Sequence, residues 1–291
     1  MTADDRIISR FNSPSFKEVL GSWHQTRRTL HGLGLSVVDR GRFSNYSALL
    51  TAATDGQPHI HQRAPHEFVH GVAEISALGY VVEELVTRKL AKGVEQKLRK
   101  VLVGGVVPVE LEDGDASRST LFELLIAASL QRCGLEVRLD EPDVVVSDGV
   151  RQYGLAAKRL RSKKRVRQRT REAIRQLRSA RLRGLIALDI SEVSNPRYDI
   201  GFYSDSSTIL DDLDHRVSVS TSRWARAIWA EDRAVNVCGC LMFASWPYAS
   251  MSDQRFGTAS SLMVTNTCLE DSGDFAFLHD LALRLQRDGL P

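Results

Sequence analysis

Between residues 119 and 188 the apolar pattern changes period several times, and few folds accept that order of elements. Residues 119–132 carry Leu121, Leu124, Leu125, Ala128 and Leu130 at helical spacing, and Gly134 ends the run. Residues 135–139 alternate apolar and charged side chains, as a half-buried strand does. A β-branched run over 143–146 leads into the turn Ser147-Asp148-Gly149, and 153–157 reads as a further strand. Helical spacing returns over 166–183, with Val166, Ile174 and Leu177 on one side. Gly184 then precedes Leu185, Ile186, Ala187 and Leu188, an apolar run suited to a central strand. Beyond it the pattern predicts a helix over 218–232, strands over 235–245 and 261–265, and a last helix over 275–287. Together these predict a mixed α/β sheet flanked by helices.

The first third reads differently. Residues 1–14 look frayed, 16–33 and 44–53 have helical spacing, and a helix starting at Pro65 is expected to run, with a break near Gly79, to about Leu102. No strand is predicted before residue 100. The division expected is therefore a helical region over 1–105 and an α/β domain over 106–291, with 104–115 as the linker. A 43% hydrophobic content is enough for a real core, and no apolar run is long enough to cross a membrane. The N-terminal residues are too charged for a secretion signal, so a cytoplasmic setting is expected. Cys133, Cys238, Cys240 and Cys268 form no CxxC pair, which fits reduced thiols; strand alternation predicts Cys238 and Cys240 on one face.

Charge is concentrated. Residues 158–183 hold 13 Lys and Arg against one acid, Glu172, a local +12 in a chain of net +3, so the remainder sums to −9. Such a localised positive field attracts a polyanion, most often nucleic acid.

Four segments carry candidate chemistry in order: Phe122 to Ala128 on a helix, Glu141-Pro142-Asp143 entering a strand, Gly154 to Arg159 on the next strand, and Ala173 to Gln176 on the following helix. Their order and spacing resemble the PD-(D/E)xK nuclease superfamily over about residues 117–190. The resemblance implies a restriction endonuclease-like fold and a Mg²⁺- or Mn²⁺-dependent nuclease acting on DNA, in bacterial restriction, repair or defence. It makes Asp143 and Glu123 the metal ligands and Lys158 the catalytic lysine. The position two before that lysine, an acid in the family, is Ala156 here. Glu123, Glu172 and Glu141, in that order, are candidates to replace it. Arg159, Arg161, Lys163, Lys164 and Arg165, with Gln176, would meet the nucleic acid. Carboxylate oxygens suit Mg²⁺, which lowers the pKa of a bound water, while a lysine offsets charge on the phosphate.

Two other readings stand beside this one. Ala156 is compatible with a nuclease fold that has lost catalysis and only binds nucleic acid or a protein partner. Separately, His66-Glu67-Phe68-Val69-His70 fits the helical zinc motif of metalloproteases, with Glu74, Glu83 or Glu84 as third ligand and His59 and His61 just upstream. The helical region could also serve a homodimer or a partner protein.

Overall fold

The structure, a computed structural model, describes residues 6–55, 65–104, 116–195, 201–203, 206–229, 236–250, 255–266 and 272–288. Strand β1 (Arg6–Asn12) comes first, where the sequence suggested a frayed end. It pairs antiparallel with β8 (Arg255–Asn266) over its whole length, so a long-range partner orders a segment whose own pattern is weak. Helix α1 (Phe16–Gly32) follows, started by a capping box in which Ser15 and Glu18 satisfy each other's backbone N–H groups. Then come α2 (Arg42–Thr54) and α3 (Pro65–Val82), the latter running unbroken through Gly79. The interruption lies later, in a π-helical turn at Glu83–Arg88, before α4 (Val94–Leu102).

The α/β part has the predicted elements in order with shifted edges, and adds two short ones the sequence did not suggest, at Ser191–Ser194 and Gly201–Tyr203. Helix α5 (Ala116–Arg132) leads to β2 (Glu136–Arg138), β3 (Val144–Ser147) and β4 (Gln152–Arg159). Helix α6 (Val166–Ser179) returns the chain to β5 (Gly184–Asp189). The short α7 (Ser191–Ser194), β6 (Gly201–Tyr203), α8 (Ser206–Trp229), β7 (Val237–Ser250), β8 and α9 (Gly273–Asp288) complete it. The sheet is mixed, in spatial order β1-β8-β7-β5-β4-β3-β2, with β6 beside β7. Strands β4, β5 and β7 are parallel at its centre, and β5 is buried at every position, as its apolar run requires.

The sheet separates two apolar layers. Helices α1 to α5 and α9 pack on one face, against Leu155, Ala157 and Leu185. Helices α6 and α8 cover the other, against Ala156, Ile186 and Leu188. The N-terminal helices thus share one core with the sheet, so the expected helical region is a layer of the α/β body over its described residues; 105–115, the expected linker, lies outside them. Cys238 and Cys240 fall in opposite layers, contrary to the alternation argument. The register slips between Gly184 and Leu185, opposite Val237 and Gly239, and this extra residue reverses the side of everything before it.

Candidate active site

Strand β4 outlasts its neighbour. Its last pair with β3 is Leu155 with Val144, so Ala156 to Arg159 are laddered only to β5 and present an open edge. Asp143, just before β3, closes part of it: its Oδ2 accepts a hydrogen bond from the Ala157 N–H at 2.8 Å. The same oxygen accepts from Lys158 Nζ at 3.0 Å, and that ammonium also donates to the Ala157 carbonyl at 2.8 Å. A cationic group therefore sits between two hard oxygen donors at the strand edge.

Helices α5 and α6 wall this edge into a groove of about 730 Å³, lined by Glu123 from α5, Lys158, and Arg169, Glu172 and Gln176 from α6. Glu123 accepts from Lys97 Nζ of α4 at 2.5 Å. Burial pushes the Glu123 carboxyl above its ordinary range, and the nearby Asp143 charge adds to this; Lys97 and Lys158 oppose both. Asp143, Glu123 and Lys158 are thus electrostatic neighbours, although 35 residues separate the first of them in sequence from the last. Lys97 was missed by the sequence reading, because nothing in an amphipathic helix marks which exposed lysine will meet an acid on another helix.

The three acids weighed as replacements for the missing one all line the groove. Glu172 is engaged by Arg169 at 2.7 Å; burial alone would raise its pKa, but Arg169 holds it below the usual range. Glu141 is exposed, and Gln176 Nε2 donates to the neighbouring Pro142 carbonyl at 3.2 Å. Ala156 itself is buried under α6 with Ala173, Ile174 and Leu177. Among the described residues no three His, Cys, Asp or Glu side chains are grouped to hold a metal ion.

The basic segment divides. Arg159 turns inward, 3.4 Å from Asp189 Oδ2 and 2.5 Å from Glu192 Oε1, and Arg161 lies 3.3 Å from Glu192. Both are therefore engaged in ion pairs with buried acids, where the sequence suggested contacts to phosphate. Lys163, Lys164 and Arg165 are exposed on a 3₁₀ turn just before α6. Positive charge there opposes the helix dipole, so helix stability does not account for these residues.

The zinc motif gains little. The side chain of His66, with His59 and His61, lies outside the described residues. Glu74 is bound by Arg42 and Arg118, and Glu84 by Arg88 and Arg132, so both candidate third ligands already have cationic partners; Glu83 lies 3.8 Å from Arg88. No helix of the described residues is long and apolar enough to cross a membrane. Comparison with protein-family models, with curated proteins and with solved structures finds no significant match.

Proposed function

We propose that this chain is a nuclease of the PD-(D/E)xK kind, hydrolysing DNA phosphodiester bonds with the help of Mg²⁺ or Mn²⁺. One observation carries the reading: Asp143 and Lys158 pair at 3.0 Å on the open edge of β4, with Glu123 coupled to both across the same groove. The donor set fits a hard cation, because Asp143, Glu123 and the Ala157 carbonyl offer only oxygen. With two carboxylates the ion would keep most of its waters, as Mg²⁺ prefers. Bound there, the cation would supply a water of lowered pKa and neutralise charge on the phosphate.

The chain's own groups do the rest. The Lys158 ammonium, displaced from its two oxygens, is left beside the reacting phosphate to offset its added negative charge. Water attacks phosphorus and loses a proton to solvent, the bond to the leaving oxygen breaks, and that oxygen takes up a proton from solvent or from Lys158. Lys97 opposes the effect of burial and of the Asp143 charge on Glu123 and so favours its ionised form. Lys163, Lys164 and Arg165, exposed ahead of α6, hold the sugar–phosphate backbone without reading sequence.

A second reading has its own observation. Both carboxylates are already neutralised by lysines, and no third acid joins them among the described residues. That arrangement also suits a nuclease fold that only binds nucleic acid. Incubating linear and supercoiled DNA with Mg²⁺ or Mn²⁺ separates the two, beside Asp143→Ala and Lys158→Ala. Metal-dependent cleavage lost in both variants is expected. Salt-sensitive binding with no cleavage by the wild type would overturn the nuclease in favour of the binding module.

A further inference from the structure

A second cavity, of about 240 Å³, opens on the other side of Arg159, which lines both it and the groove. It lies over the carboxyl ends of the parallel strands β4, β5 and β7, where open α/β sheets commonly take ligands. Helix α5 gives it an apolar wall in Leu121, Phe122 and Leu125, and Phe243 of β7 continues that wall, its ring centred 5.9 Å from that of Phe122.

The polar lining is unusual. Arg118 and Arg159 share the cavity with Glu74, Asp189 and Glu192, all largely buried. Burying so many charges beside a void is costly, and none of them is needed by the groove's carboxylates and lysine. Burial raises the Asp189 carboxyl above its ordinary range, against the pull of Arg159. Arg159 Nε is buried and makes no well-aligned hydrogen bond among the described residues, its ion-pair partner Asp189 Oδ2 lying 3.4 Å away.

This lining selects against simple ions. A free phosphate would face three carboxylates, and a free cation two guanidinium groups. A neutral ring whose edge both donates and accepts hydrogen bonds meets both kinds of partner while one of its faces lies against the apolar wall of Phe122 and Phe243. Drug-sized ligands usually occupy roughly 300–1,000 Å³, so this smaller space suits a single ring system. We infer that the cavity beside Arg159 binds one nucleobase-sized heteroaromatic ring. The choice of a nucleobase among neutral rings rests on the nuclease reading; the ring could be a free nucleoside or a base unstacked from the strand lying in the groove.

The test fills the cavity from α3, whose Ala73 and Ala77 both line it. Adenosine, guanosine, cytidine and thymidine are titrated calorimetrically into wild type, Ala77→Phe and Ala73→Leu, with thermal melting to confirm that each variant folds. A single-stranded oligonucleotide containing 2-aminopurine is titrated in parallel by fluorescence. Saturable nucleoside binding, weakened at least tenfold in a folded filling variant, is expected if the source is free ligand. A 2-aminopurine emission change seen with wild type and lost in that variant identifies a base of the strand instead. No nucleoside binding and an oligonucleotide response unaffected by filling would overturn the inference, as would nucleoside binding that filling leaves unchanged. Asp143→Asn tells the two proposals apart: it abolishes cleavage while leaving nucleoside binding intact, and nucleoside binding by a protein that cuts no DNA would sink the nuclease alone.

Discussion

Replacing Arg159 by Met tests whether the first arginines of the basic segment serve the fold or the nucleic acid. Arg159 is only 13% exposed and faces Asp189 and Glu192, 10% and 8% exposed. Removing one partner of a buried pair costs about 3–5 kcal/mol, because the other charge stays buried and uncompensated. Here the loss is softened. Arg161 still reaches Glu192 at 3.3 Å, and Ser191 still donates its N–H and O–H to Asp189 at 2.9 and 2.6 Å. The lower end, about 3 kcal/mol, is therefore expected. At about 2–4 °C per kcal/mol, the unfolding midpoint should fall by roughly 6–12 °C. Circular dichroism melts at pH 8 and pH 5 measure it, and the deficit should be smaller at the lower pH, because burial raises the Asp189 carboxyl and brings it closer to taking up a proton there. Adding Glu192→Gln to the variant should recover part of the loss. An unchanged midpoint, with DNA binding weakened and its salt slope reduced by about one, would refute the argument and make Arg159 a phosphate ligand.

The exposed charges should behave oppositely: the triple change Lys163→Glu, Lys164→Glu, Arg165→Glu should leave the melting midpoint within about 2 °C while flattening the salt dependence of DNA binding by about 2–3 in log–log slope, read by fluorescence anisotropy at several salt concentrations. Asp189 binds its proton more tightly folded than unfolded, so its ionisation should remove stability as pH rises from about 4 through its raised value; urea melts of wild type and Asp189→Asn across pH 4–8 should diverge in that direction, and parallel curves would contradict it. Ala156→Glu, which supplies the acid that the proposed nuclease relationship would expect there, should destabilise by at least about 3 kcal/mol, since it places a charge in the apolar layer under α6; a stable variant with increased Mg²⁺-dependent cleavage would contradict the packing argument.

Much of the central architecture could be read from local pattern, because a strand covered on both faces, as at Leu185 to Leu188, leaves little choice of environment. The family resemblance points to Asp143 and Lys158, and they meet because β3 and β4 form a hairpin that brings residues just beyond its last pair together. What escaped depends on distant partners. Strand β1 exists because β8 lies beside it, and the reversal between Cys238 and Cys240 comes from a slip against β5. Arg159 and Arg161 looked like the start of a solvated basic run, since the sequence does not show that Asp189 and Glu192 lie across from them. Lys97 belongs to the same class, meeting Glu123 through the packing of α4 on α5.

Ala156 connects these observations. Its side of β4 is the side on which α6 rests, and the helix comes close: a Cβ on Gly154, two residues earlier on that face, would stand 2.9 Å from Leu177 and from Pro142. Small residues at 154 and 156 let Ala173, Ile174 and Leu177 pack directly on the strand. An acid at 156 would lie in this apolar layer, whereas Lys158, one step further along the same face, lines the groove. The close approach has a second effect, because it brings Arg169, Glu172 and Gln176 of α6 to the groove and lets Gln176 hold the Pro142 carbonyl next to Asp143. Read from sequence, Ala156 is a missing ligand. In the fold it is the contact that seats α6 beside a strand edge where Asp143 is paired with Lys158 of the sheet and Glu123 with Lys97 of the N-terminal helices.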